Sequence, residues 1–144
     1  MRIAEILRSK GSHVTTVTPA TTVGVLLAIL AEHEIGAVVV SPDGARILGI
    51  VSERDVVRHL HRHGPGLLDA AVATIMTTEV RVCAPQDQVD GLRRVMTEHR
   101  VRHLPVVSQG RLVGIVSIGD VVKSALSELS TERSTLVAYV QGQY

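Results

Sequence analysis

The sequence predicts a mixed α/β (α+β) protein built from one β-α-β-β-α unit that occurs twice. Three observations predict it. The phrase Gly49-Ile50-Val51-Ser52-Glu53-Arg54-Asp55-Val56-Val57 returns as Gly114-Ile115-Val116-Ser117-Ile118-Gly119-Asp120-Val121-Val122. Pro19 and Pro85 each follow a short extended stretch and precede an amphipathic one. With those prolines superposed, more than a third of the paired positions between Val14–Val57 and Val80–Val122 are identical, Glu32-His33 with Glu98-His99 among them. Unrelated chains of ordinary composition share several times fewer. Two copies are too few for a solenoid. A unit of about 60 residues buries its sheet poorly alone, so the two are expected to pack through their sheets about a pseudo-twofold axis.

In chain order, apolar residues at helical spacing over 3–9 predict a leading helix that Gly11 ends. Val14-Thr15-Thr16-Val17 is β-branched and reads as extended. Thr21 or Thr22 caps the next helix, whose stripe is Val23, Leu26, Leu27, Leu30 and Ala31. Gly36 is expected to stop it. Ala37 to Val40 reads as a buried strand, Ser41-Pro42-Asp43-Gly44 as a turn, and 46–51 as the partner strand. The helix from Ser52 ends near Gly64-Pro65-Gly66.

Residues 67–76 predict a second lead-in helix. Val80 to Val82 is expected to be extended, and Val89 to His99 a helix. Val101–Val107 and Arg111–Val116 read as a hairpin, and a helix starts at Ser117. A last helical stretch is expected over Leu129 to Tyr144, with Leu136, Val137 and Val140 on one side. The expected division is a first repeat with its leading helix over 1–65, a second repeat over 66–129, and a C-terminal helix over 130–144 that suits a dimer contact.

The composition narrows the function. At 144 residues, 45% hydrophobic and 20% charged, the chain suits one globular domain or a tight pair of small ones. It has no Phe or Trp and only two Tyr, so its core is aliphatic and base-stacking recognition lacks its platform. A formal charge of +1 gives no field for nucleic acid. The single Cys83 excludes an internal disulfide and fits a reducing compartment. The charged N-terminus is unlike a signal peptide, and Val23 to Ala31 is far shorter than the ~20 residues of a membrane span. A cytoplasmic protein without nucleic-acid or membrane partners is expected.

No glycine-rich phosphate loop, hydrolase triad or paired carboxylates are present. His59, His61 and His63 alternate at a helix end, but no third ligand at a fixed spacing supports a metal site. His33 and His99 read as surface residues at helix ends.

The repeated phrase, the flanking prolines and Val101-Arg102-His103-Leu104-Pro105-Val106-Val107 together resemble a tandem pair of cystathionine-β-synthase (CBS) domains, the Bateman module. The resemblance covers nearly the whole chain up to about Ser130. It implies two clefts between the repeats that hold adenosine-containing ligands: AMP, ADP, ATP, NAD(H) or S-adenosylmethionine. It implies a homodimer and a regulatory, non-catalytic role in signal transduction to an effector protein. No effector domain accompanies the pair, so the chain is similar to the stand-alone class.

Ser52/Asp55 and Ser117/Asp120 carry two readings. An ionised Asp accepts hydrogen bonds from both ribose hydroxyls, and Ser with the free N–H groups of the helix start faces a phosphate. Ser-x-x-Asp is equally a helix capping box. The resemblance implies that Arg102 and His103 reach ligand phosphates, with Pro105 beside them. The first repeat departs from this, carrying Gly36, Ala37 and Val39 at those positions. It keeps Arg54 where the second repeat has Gly119.

The first-repeat cleft, on Ser52, Arg54 and Asp55 with Arg102 and His103 in reach, is therefore expected to favour the more phosphorylated ligand. The second would take a smaller adenosine ligand or stay empty. For adenine, Val14, Ile35, Gly36 and Ala37 line one expected slot and Val80 and Val101 the other, although each also reads as core. The competing function is a structural or dimerisation module with unoccupied clefts.

Overall fold

The computed structural model describes residues 1–142. Five α-helices and five strands alternate: α1 (Ile3–Lys10), β1 (Thr16–Val17), α2 (Val23–His33), β2 (Ala37–Val40), β3 (Gly49–Ser52), α3 (Glu53–His63), α4 (Val89–His99), β4 (His103–Ser108), β5 (Arg111–Ser117) and α5 (Ile118–Val140). The first unit holds a three-stranded sheet in which β1 runs parallel to β2 and β2 antiparallel to β3. In the second, β4 and β5 form an antiparallel hairpin.

The predicted strand over Val80–Val82 does not form. Cys83 alone makes the parallel bridge to Val106, donating its N–H to Pro105 at 3.0 Å and accepting from Val107 at 2.8 Å. Cys83 is otherwise a small core group, and burial, reinforced by the Asp87 charge, pushes its thiol pKa up to about 12.

Two local expectations are corrected by backbone geometry. The helix predicted over 67–76 is instead two short 3-10 turns, Pro65–Asp69 and Val72–Thr74, separated by extended Ala70 and Ala71. The helix from Ser117 continues unbroken to Val140, because no Pro or Gly interrupts it after Gly119. The predicted end of the last helix, towards Tyr144, lies outside the described residues.

Gly36 is not the residue that ends α2. Glu34 turns left-handed at φ 53°, and Ile35 N–H then reaches back to the Leu30 carbonyl at 3.1 Å. The second unit repeats the device with Arg100 at φ 52° and Val101 N–H on Met96 at 3.1 Å. This reverse turn satisfies the carbonyls left open at the helix end.

All four residues of β2 are buried. Val38 and Val40 join the helix-side core with Val23, Leu26, Val51 and Val56. Ala37 and Val39 point to the opposite face and are equally buried. That face meets the second unit, where Leu112 N–H donates to Ala45 at 2.9 Å and Gly36 lies against His103. The two sheets are thus covered on one side by their own helices and on the other by each other. The second core is Cys83, Val89, Leu92, Met96, Leu104, Val106, Val116 and Val121.

The lead-in segments cross over. α1 contributes Ile3, Ile6 and Leu7 to the core of the second unit. The 3-10 turns contribute Leu67, Val72 and Ile75 to the core of the first. Matching bridges, Arg2 with Gln88 and Thr22 with Ala71, put Ile3 in the place of Val72 and Leu7 in that of Met76. The repeated glycine of each phrase makes room for them. A Cβ on Gly49 would lie 2.7 Å from the Met76 sulfur, and one on Gly114 would lie 2.6 Å from Leu7 Cδ2.

Candidate functional site: the two helix starts and the strand between them

Each Ser-x-x-Asp phrase turns from strand to helix, and each forms a complete capping box. Ser52 N–H donates to Asp55 Oδ2 at 2.9 Å, the Ser52 hydroxyl donates to the same oxygen at 3.1 Å, and Asp55 N–H returns to Ser52 Oγ at 3.3 Å. Ser117 N–H donates to Asp120 Oδ2 at 2.9 Å, and Asp120 N–H to Ser117 Oγ at 3.2 Å. The capping reading therefore holds for both pairs. It leaves each carboxylate with an Oδ1 for which no described residue supplies a hydrogen bond.

The surroundings of the two carboxylates differ. Asp120 also accepts Lys10 Nζ, from the end of α1, at 2.6 Å. Burial works to raise the Asp120 pKa, but the Lys10 bond and the Ser117 N–H outweigh it and hold the carboxyl below its ordinary value. Lys10 was not among the expected site residues. It is 110 positions from Asp120, a separation at which local spacing carries no signal. Only aligning the lead-in segments, Ile3 and Ile6 against Val72 and Ile75, brings α1 to this site.

His103 opens β4 and pairs with Ser117 across the hairpin. It reaches the first unit. A Cβ on Gly36 would lie 3.6 Å from His103 Cε1 and 3.4 Å from Glu53 Oε1, so Gly36 is the gap through which the two units touch. Burial above all, then the adjacent Arg102 charge, lowers the His103 pKa, against the opposing charges of Glu53 and Asp120. Glu53 is thus a second residue that the sequence reading passed over.

Arg102 is exposed, and its carbonyl accepts the Ile118 N–H at 2.8 Å, as Gly36 accepts Glu53 at 2.9 Å. Arg54 and Gly119 are exposed at the first turns of α3 and α5.

The expected adenine positions divide. Val14, Ile35, Val80 and Val101 are half-buried, and Ile35 and Val101 pack against the two helix-side cores. Ala37 and Pro105 are buried in their strands, and Pro105 meets Cys83 through its carbonyl. The structure therefore gathers Gly36, Glu53, Arg102, His103, Lys10, Ser117 and Asp120 around one junction of the units.

His59 and His63 stack with ring centroids 6.0 Å apart, and His59 Nδ1 is occupied by the Asp55 carbonyl. Among the described residues no cluster of three metal-ligating side chains occurs, and no helix is long and apolar enough to cross a membrane.

A sheet-and-helix unit used twice, with polar helix starts at the junction, defines a paired-repeat module. The CBS-domain family model matches residues 3–62 and 72–127, and the chain belongs to that family. It is 33% identical over 150 residues to the mitochondrial CBS domain-containing protein CBSX3 of Arabidopsis thaliana, covering 99% of this chain and 73% of that protein. The CBS-domain protein ATU1752 of Agrobacterium tumefaciens superposes with a TM-score of 0.84 at 41% identity, over 87% of this chain and 99% of that one. A structure of CBSX2 in complex with AMP matches with a TM-score of 0.67 at 29% identity, over 79% of this chain and 88% of the other.

Proposed function

We propose that this chain is a regulatory, non-catalytic module that binds an adenosine-containing ligand between its repeats and signals occupancy to a partner protein. The observation that carries the reading is the meeting of Gly36 and Glu53 of one repeat with His103 of the other. These residues lie beside helix starts whose Asp carboxylates retain an acceptor for a ribose hydroxyl. Exposed Arg102 beside His103 supplies a cation for phosphate oxygens at this junction, and exposed Arg54 one at the first turn of α3. The likeness to a CBS pair crystallised with AMP supports the ligand class. AMP, ADP, ATP, NAD(H) and S-adenosylmethionine are the candidates, and a ligand touching both repeats ties their relative position to occupancy. The single buried, unpaired Cys83 supports a reducing cytoplasmic setting.

A homodimer is part of this proposal. Val122, Leu126, Leu129, Leu136 and Val140 run along α5 at alternating spacings of three, four and seven and are 52 to 82% exposed, a seam suited to a second helix. The same observation favours the alternative of a dimerisation module with unoccupied clefts.

Thermal unfolding with each of the five ligands separates the two. A ligand held only by the folded chain at 100 times its Kd adds about 2.7 kcal/mol, a rise of several degrees in Tm for a chain of this length. Unchanged melting with all five at millimolar concentration assigns the chain to dimerisation instead.

A further inference from the structure

Asp55 and Asp120 stand at matching positions in unlike company. Lys10 Nζ donates to Asp120 Oδ2 at 2.6 Å and to the Ile115 carbonyl at 3.0 Å. In the first unit the matching carbonyl, Ile50, is satisfied by Thr77 N–H at 2.9 Å. The lead-in segments diverge before this point: α1 stays helical through Lys10, whereas the chain leaves its 3-10 turn after Thr74 and bridges Ile50 at Thr77. Among the described residues no cation bonds Asp55, whose carboxylate is held by Ser52 alone. The Lys10 and Asp120 side chains keep only 34% and 20% of their exposure, so solvent screens the pair incompletely.

We propose that Lys10 decides which cleft takes the ligand: its ammonium holds the Asp120 carboxylate and closes the second cleft to a ribose, leaving the cleft on Asp55 to bind. This rests on the adenosine-ligand reading above. A ribose diol needs an anionic acceptor for its hydroxyls. To use Asp120 it must approach a carboxylate whose charge the Lys10 ammonium already neutralises at Oδ2, a weaker acceptor than an unpaired carboxylate. Among the described residues Asp55 carries no such cation. The inequality of the clefts is therefore built into the lead-in segments, outside the repeated phrase.

The test is calorimetric titration of AMP into the full chain and its K10R, K10M, D55A and K10M/D55A variants. The expected stoichiometry is one AMP per chain for the unaltered protein and for K10R, which keeps the ion pair. K10M is expected to bind two, D55A to hold its one AMP about ten- to a hundredfold more weakly, and K10M/D55A to bind one tightly. K10Q, neutral but polar, opens the same second site and replaces K10M if that variant folds poorly. One site in folded K10M and K10Q, or two in the unaltered protein, overturns the role of Lys10 and leaves the ligand reading standing. Failure of AMP and of the other four candidate ligands to bind any of the proteins overturns both.

Discussion

Gly49 lies directly beneath Met76, so closely that a methyl group on Gly49 would sit 2.7 Å from the sulfur and 2.8 Å from the Thr77 carbonyl. The matching glycine, Gly114, meets only the side chain of Leu7. A side chain can rotate away, whereas the Thr77 carbonyl is fixed by its bond to Ile50 N–H. G49A is therefore expected to cost about 2–3 kcal/mol by overpacking and G114A about 1 kcal/mol. Urea denaturation of both variants measures the difference. Equal costs would show that the Thr77 segment yields as readily as Leu7.

Asp55 has two duties under the proposal, cap and ribose acceptor. D55A removes both. Loss of the cap lowers stability by about 1 kcal/mol, and loss of a charged acceptor weakens AMP by about ten- to a hundredfold, or roughly 1.5–3 kcal/mol. Chemical denaturation and AMP titration read the two separately. Lower stability with unaltered affinity would confine Asp55 to capping.

How much of this was legible in the sequence follows from how far apart the partners lie. The two hairpins, the α2 and α4 helices and both Ser-x-x-Asp caps are local, since period, cap residue and turn chemistry fall within a few positions. The duplication extended that reach by letting one copy check the other. The crossing of the lead-in segments was not legible, because Ile3 finds Asp87 and Lys10 finds Asp120 only in three dimensions. The 67–76 segment has helical spacing, but Ala70 and Ala71 are held extended between two backbone bonds, Val23 N–H to the Ala70 carbonyl and Val72 N–H to the Thr21 carbonyl. Tertiary pairing there overrides local preference.

Under the proposed function, His103 is expected to make binding depend on pH. Burial, then Arg102, lowers its pKa in the folded chain, below the ordinary value near 6.5. As pH falls from about 6.5 through the folded value, the unfolded chain takes up a proton first, so the stability tied to neutral His103 is present above about pH 6.5 and is lost below it. A phosphate placed beside the ring favours the imidazolium. AMP is then expected to bind with proton uptake and to bind more tightly at pH 6 than at pH 8. Calorimetry in buffers of different ionisation enthalpy counts the proton, and H103Q is expected to lower that count. An equal count in H103Q removes His103 from the phosphate.

The exposed seam of α5 predicts self-association. Truncation after Ser130 removes Leu136, Val137 and Val140, which are 60, 45 and 82% exposed. Sedimentation velocity is expected to show a weaker dimer for the truncated chain than for the full one. An unaltered dimer would place the contact elsewhere.

The crossing of α1 into the second unit also sets an order of events during synthesis. A ribosome makes Ile3, Ile6 and Leu7 before any of Cys83, Leu104 or Val116, the residues they pack among. α1 must wait, its apolar stripe uncovered, until the β4–β5 hairpin has emerged. The 3-10 turns at Leu67 and Val72 instead arrive just after the sheet they cover. The first unit is thus complete before the strands of the second have been made, and the second closes only when α1 meets the later hairpin.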